Sequence, residues 1–188
     1  MKIFNTIVNT VFLIFLTLFV SSGCKDFDRR TQFRTTYSNR VVLDTINTKG
    51  TSSEVKSDTL IVDFLGTVKD HSSTENSIES VKLVTIGMEI DKGKSPDYAN
   101  FNIIKDLEVY LTGKGMDEIL VGSTDSIPSN IKYFEIKVIP VDDDFEDLVK
   151  SEEFTCRMKF TPREPIKDSS YVIKITPTYL VDTRKFGI

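Results

Sequence analysis

Alternation of apolar and polar residues with a period of two is the feature that most constrains this chain, because it commits whole segments to strands with one buried and one wet face. Phe154, Cys156, Met158 and Phe160 alternate with Thr155, Arg157, Lys159 and Thr161. Phe101, Ile103, Leu107, Val109 and Leu111 oppose Asn102, Asp106, Glu108 and Thr112 in the same way. Val84, Ile86, Met88 and Ile90 form a third stripe. Phe134, Ile136 and Val138 form a fourth against Glu135 and Lys137, and Tyr171, Ile173, Ile175, Tyr179 and Val181 form a last long one. Shorter segments at Leu60, Val62 and Phe64, at residues 41–43 and at residues 119–121 bring the expectation to about eight strands separated by Gly-, Pro-, Asn- and Ser-containing turns.

Helical spacing occurs convincingly once. Phe145, Leu148 and Val149 fall at i, i+3 and i+4, and Asp143 followed by Glu146 has capping-box spacing. One short helix does not suit a βαβ nucleotide fold, in which helices alternate with strands. The pattern predicts a mainly β chain: an antiparallel, immunoglobulin-like β-sandwich with one short helix, occupying residues 40–188 as a single domain. Residues 25–39 are polar apart from Phe27, Phe33 and Tyr37 and read as a tether, and residues 47–58 read as a loop. Pro177 cannot donate a ladder hydrogen bond, so the last strand is expected at a sheet edge or at a bulge.

With 188 residues, 39% of them apolar and 13 of them Phe, the chain has enough apolar surface to fold without a metal or a disulfide. Its 24 basic residues are interspersed among 28 acidic ones. Nucleic acid as a partner needs a basic face or stripe, and a Lys/Arg-built membrane surface needs the same, so neither is expected.

The first 23 residues have a different character. Met1-Lys2 is followed by an almost entirely apolar or small run to Val20, densest over residues 11–16, and Ser21-Ser22-Gly23 precedes Cys24. A membrane-spanning helix needs about 20 apolar residues, and here Asn5, Thr6, Asn9 and Thr10 dilute the first third. The dense part has the length of a signal-peptide core, with small residues at the cleavage point.

Val20-Ser21-Ser22-Gly23-Cys24 resembles the bacterial lipobox, with Ser21 where the common pattern has Leu, as in the serine-rich lipoboxes of Bacteroidota lipoproteins. The resemblance covers only the leader. It implies removal of residues 1–23, diacylglycerol and an N-acyl chain on Cys24, and a tether over residues 24–39. Two or more lipid chains give stable anchoring where one does not. Lys25-Asp26-Phe27-Asp28 looks like the short tags that favour display on the outer face of the outer membrane. The second cysteine, Cys156, is then left without a partner in the chain.

No catalytic constellation assembles from the remaining residues. His71, in Asp70-His71-Ser72-Ser73, is the single histidine, and no Gly-x-Ser-x-Gly accompanies it, so it reads as a loop histidine rather than a general base. Asp142, Asp143 and Asp144, with Glu146 and Asp147 behind them, are weak candidates for calcium, but carboxylates there also suit the N-terminal end of the Phe145–Lys150 helix. Asp91 and Asp97 flank a turn-rich loop whose composition turn chemistry already explains. Cys156, on an apolar strand face beside Met158, reads as a buried small hydrophobe. Tyr98, Tyr110, Tyr133, Tyr171 and Tyr179 are the available stacking surfaces for a sugar, since the chain has no Trp. The expectation is a non-enzymatic envelope lipoprotein binding a protein partner, with surface glycan or small-ligand binding as the alternative.

Overall fold

The computed structural model describes residues 32–43, 45–46, 49–71, 73–140, 145–167 and 171–183. They form two antiparallel five-stranded sheets packed face to face. The first contains β1 (Gln32–Thr36), β2 (Asn39–Leu43), β5 (Ile78–Ile90), β8 (Tyr133–Ile136) and β10 (Tyr171–Thr183); the second contains β3 (Ser53–Lys56), β4 (Leu60–Ile61), β6 (Ile104–Gly113), β7 (Ile119–Thr124) and β9 (Glu153–Pro162). Two short helices, α1 (Phe64–Asp70) and α2 (Glu146–Lys150), and two single 3-10 turns complete the described residues.

Strand order is β1/β2-β10-β5-β8 in one sheet and β3/β4-β9-β6-β7 in the other. Successive lanes therefore change sheet repeatedly: β2 to β3, β4 to β5, β5 to β6 and β7 to β8 all cross the sandwich. An immunoglobulin sandwich instead keeps its first two strands side by side in one sheet. The expected sandwich is present, and its connectivity departs from the immunoglobulin order.

β1 and β2 are one lane interrupted at a single point. Thr36 lies opposite Thr178 and Asn39 opposite Ile175, with no change of register between them. Tyr37 therefore faces Pro177, donating its N–H to the Pro177 carbonyl at 3.3 Å. Proline has no N–H to return, so the ladder opens there. Far from lying at an edge, β10 is flanked on both sides, and its proline is tolerated because its bare nitrogen faces this break. The alternative expectation, a bulge in the last strand at the proline, is not met either: Pro177 pairs in register with Ile86, and the extra residue nearby belongs to β5, where Val84 is left unpaired between Thr178↔Thr85 and Tyr179↔Leu83. This extra residue switches the buried parity of β5 from Ile86, Met88 and Ile90 to Val81 and Leu83.

β1 begins at Gln32, inside the stretch expected to be tether, and β3 lies inside the expected 47–58 loop. Phe64 starts a helix instead of ending a strand. The Asp63 carboxylate accepts the Gly66 N–H at 2.7 Å, and Phe64 and Val68, one helical turn apart, are both buried. Helix α2 appears where the spacing placed it, with Leu148 and Val149 fully buried, but Phe145 occupies its N-cap without a side-chain bond. Asp143, the expected cap, lies outside the described residues.

Between the sheets the alternating stripes interlock. Ile86, Met88, Ile173, Ile175 and Tyr179 from one side meet Leu107, Val109, Leu111, Phe154, Met158 and Phe160 from the other, all 0–1% exposed. The sandwich is stitched where β7 and β8 change sheets: Gly122 bridges Val138, and Ile139 donates to the Val121 carbonyl at 3.0 Å.

Candidate functional site

The outward face of the second sheet carries the densest polar arrangement among the described residues. Arg157 on β9 lies with its guanidinium carbon 3.9 Å from the Tyr110 ring centroid. It donates through Nε to Glu118 at 2.8 Å and approaches Glu54 of β3 at 3.0 Å. Tyr110 donates its hydroxyl to Glu108 at 2.7 Å, and Lys159 lies 3.4 Å from the same carboxylate. Alternation explains the grouping: every second residue of β6 and β9 points outward, and antiparallel register sets Glu108 against Lys159 and Tyr110 against Arg157.

At one end of this network is an open trough of about 620 Å³, lined chiefly by Ser52, Asp106, Glu108, Ser123, Asp125 and Lys159. Carboxylates, hydroxyls and one ammonium supply acceptors and donors, and Leu107 and Phe160 add apolar surface between them. The Tyr110 hydroxyl, with help from Lys159, holds the Glu108 carboxyl below its ordinary range. Glu108 is thus a charged acceptor at neutral pH, whereas a general acid requires a raised pKa. The trough is suited to holding hydroxyl-rich or cationic groups.

Two of the five tyrosines considered as stacking surfaces stand in solvent: Tyr98 is 67% and Tyr133 54% exposed. Tyr133 leans over Gly87 on the outer face of the first sheet, where a β-carbon would lie 3.4 Å from the ring, and its hydroxyl donates to Glu135 at 2.7 Å. Tyr98 packs edge-on against Tyr171 near the loop after β5. Tyr171 and Tyr179 belong to the core, and Tyr110 is covered by Arg157.

Residues with nucleophilic or basic chemistry are kept apart. The exposed His71 caps the end of α1, its ring stacked on Phe33 at 4.0 Å. Cys156 is fully buried; burial pushes its thiol up to about 12, and its sulfur accepts a hydrogen bond from Asn39 at 3.5 Å. Asp91 is engaged by Arg40 at 2.7 Å and by the Gly93 N–H at 3.1 Å, the turn role read from composition. Cys24 and residues 142–144 lie outside the described residues. Among the described residues no group of three or more His, Cys, Asp or Glu side chains could hold a metal ion, and no helix is long and apolar enough to cross a membrane.

No protein family model and no curated protein matches the chain. Similar solved structures include desmodium yellow mottle tymovirus, at 9% identity and a TM-score of 0.24 over 84% of this chain and 91% of that one. Cocksfoot mottle virus gives 9% identity and a TM-score of 0.29 over 83% and 86%. A β-porphyranase of glycoside hydrolase family 86 from the human gut bacterium Bacteroides plebeius gives 16% and 0.28, with 79% of this chain spanning 21% of that one. At these TM-scores the likenesses carry no argument.

The networks on the second sheet were hidden in the sequence because they depend on register. Tyr110 and Glu118 are eight residues apart across the β6–β7 turn, but Arg157 is distant in the chain, and only the pairing of β6 with β9 brings it to them.

Proposed function

We propose that this chain is a lipid-anchored envelope protein whose sandwich acts as a non-catalytic, protein-binding accessory module. The observation that carries the reading is the leader ending Ser21-Ser22-Gly23-Cys24. Cleavage before Cys24 and acylation of that residue, with diacylglycerol on sulfur and a third chain on nitrogen, would hold the domain at the outer membrane. Gln32, the start of β1, follows Cys24 after only residues 25–31. A chain of that length reaches at most about 25–30 Å when fully extended. The domain is therefore held close to the bilayer, with the Gln32 end of the first sheet nearest to it and the β5–β6 loop bearing Tyr98 at the far end.

A binding role is favoured over catalysis by the placement of the reactive groups: His71 is spent on Phe33 and Cys156 is sealed in the core. The lane order points to a jelly roll, in which eight lanes wind as Greek keys through two sheets. Such a sandwich offers its edges and end loops for recognition. The test is chemical crosslinking in intact cells followed by detergent extraction and purification of the tagged protein. A stoichiometric envelope protein, lost when edge residues of β8 are replaced by Pro, is expected; recovery of the protein alone at every crosslinker length contradicts the proposal.

Surface glycan or small-ligand binding is the second reading, favoured by the polar trough beside Glu108 and by the solvent-facing Tyr133 ring. Glycan-array binding that Tyr133→Ala or Glu108→Gln abolishes would select it over the first.

A further inference from the structure

The inward side of the β1–β2 lane is polar in its middle. Val41 and Leu43 are buried at one end and Phe33 packs against the core at the other, but Thr35, Tyr37 and Asn39 face inward between them. Tyr37 meets Tyr179 of β10 with ring centroids 6.2 Å apart, and Phe154 lies 6.0 Å from Tyr37. From the facing sheet Cys156 points into the same region and receives the Asn39 amide. Tyr179 is 0% exposed, and the hydroxyl oxygens of both Tyr37 and Tyr179 are buried without a hydrogen-bond partner. Burial raises the Tyr179 hydroxyl far above its usual range, with the nearby Cys156 and Tyr37 adding to the effect.

An unmet buried hydroxyl weakens the folding equilibrium by at least about fivefold. Two such hydroxyls, on neighbouring strands and on rings whose centroids lie 6.2 Å apart, are too unfavourable a pair to leave unpaired when one small molecule can satisfy both. Buried waters make about three hydrogen bonds, commonly to groups with no other partner. The backbone beside the pair is already irregular: the ladder is open at Tyr37–Pro177, and Val84 bulges opposite Thr178 and Tyr179.

We propose that one ordered water molecule sits between the sheets, bridging Tyr37 Oη and Tyr179 Oη with Cys156 Sγ as a third, weaker neighbour. Water carries two hydrogens and two lone pairs, so it accepts the proton of one tyrosine while donating to the other. The site is a structural component of the domain and does not depend on any binding function at its surface.

Tyr37→Phe, Tyr179→Phe and the double variant, compared by urea unfolding of the soluble domain, test this. Each phenylalanine keeps the ring and removes only the oxygen. With the bridging water present, each single change strands the water and the other hydroxyl and lowers the folded-to-unfolded ratio at least about fivefold. The double variant then loses less than the product of the two, because the bridge is lost only once. Single variants as stable as the parent, or more stable, would overturn the proposal, since deleting an orphaned hydroxyl relieves a cost. A crystal structure decides independently: a water peak within about 3 Å of both oxygens supports the bridge, and a dry, closed contact refutes it.

Discussion

Gly122 marks the place where the two sheets are joined, and its replacement by alanine tests whether the stitch is as tight as the structure has it. A β-carbon there would lie 2.9 Å from Ile86 Cδ1 and 3.0 Å from Ile136 Cγ2, with the Lys137 carbonyl oxygen at 3.5 Å. Both isoleucines are buried, at 0% and 3% exposure, so neither can swing into solvent. Overpacking of this kind costs about 1–3 kcal/mol. Stiffening of the unfolded chain by alanine returns about 0.4–1 kcal/mol, leaving a net loss of about 1–2 kcal/mol. Ile86→Val deletes the nearer methyl and costs about 0.5–1.5 kcal/mol by itself. In the double variant the deleted Cδ1 makes room for the new methyl, so the combined loss should fall short of the sum by at least about 0.5 kcal/mol. Urea unfolding of the four proteins at a common m-value measures the cycle. Gly122→Ala as stable as the parent, or two losses that simply add, would refute the reasoning.

Three further outcomes follow from named contacts. Unfolded, the Cys156 thiol titrates near 9.0, whereas in the fold burial pushes it up to about 12. Between those values only the unfolded chain gives up the proton, so stability complete below pH 9 declines as pH rises towards 12, by up to a few kcal/mol. Urea midpoints should show that decline setting in near pH 9 in the parent and missing from Cys156→Ala. Pro177→Val restores an N–H facing the Tyr37 carbonyl in unbroken register, so the amide of residue 177 should be protected in hydrogen exchange while stability shifts by less than about 1 kcal/mol; an unprotected amide would contradict the single-lane description. Arg157→Ala removes a guanidinium stacked on Tyr110 and leaves Glu54 and Glu118 without their shared cation, for a loss of about 1–2 kcal/mol by thermal unfolding. Arg157→Lys should recover only part of it, because an ammonium cannot form the same planar fork.

The stripes that alternate cleanly were readable from sequence because each has one wholly buried face: Phe154, Cys156, Met158 and Phe160 are all 0–1% exposed, and so are Leu107, Val109 and Leu111. What escaped were edge strands. β1 places Phe33 and Thr35 inward with only one apolar side chain, and β3 has only Val55, so composition made tether and loop of them. Leu60, Val62 and Phe64 alternate over too short a span to separate a strand from the entry to a helix, and Asp63 settles it by capping α1. Connectivity was illegible because alternation states which face is buried and is silent on which strand lies alongside. Pro177 misled about the edge for a related reason: its missing donor meets a break in the neighbouring lane, and that lane is far away in sequence. The Glu108 trough and the Arg157 network share that origin, since both are products of register.

Lipid anchoring at Cys24 is tested by the intact mass of the membrane-extracted protein together with palmitate labelling of the parent and Cys24→Ala. An anchored protein gives a mass matching residues 24–188 plus diacylglycerol and an N-acyl chain, with the label lost in the variant. An unlabelled chain that still carries residues 1–23 would contradict it, making the leader an uncleaved anchor and Cys24 an ordinary thiol.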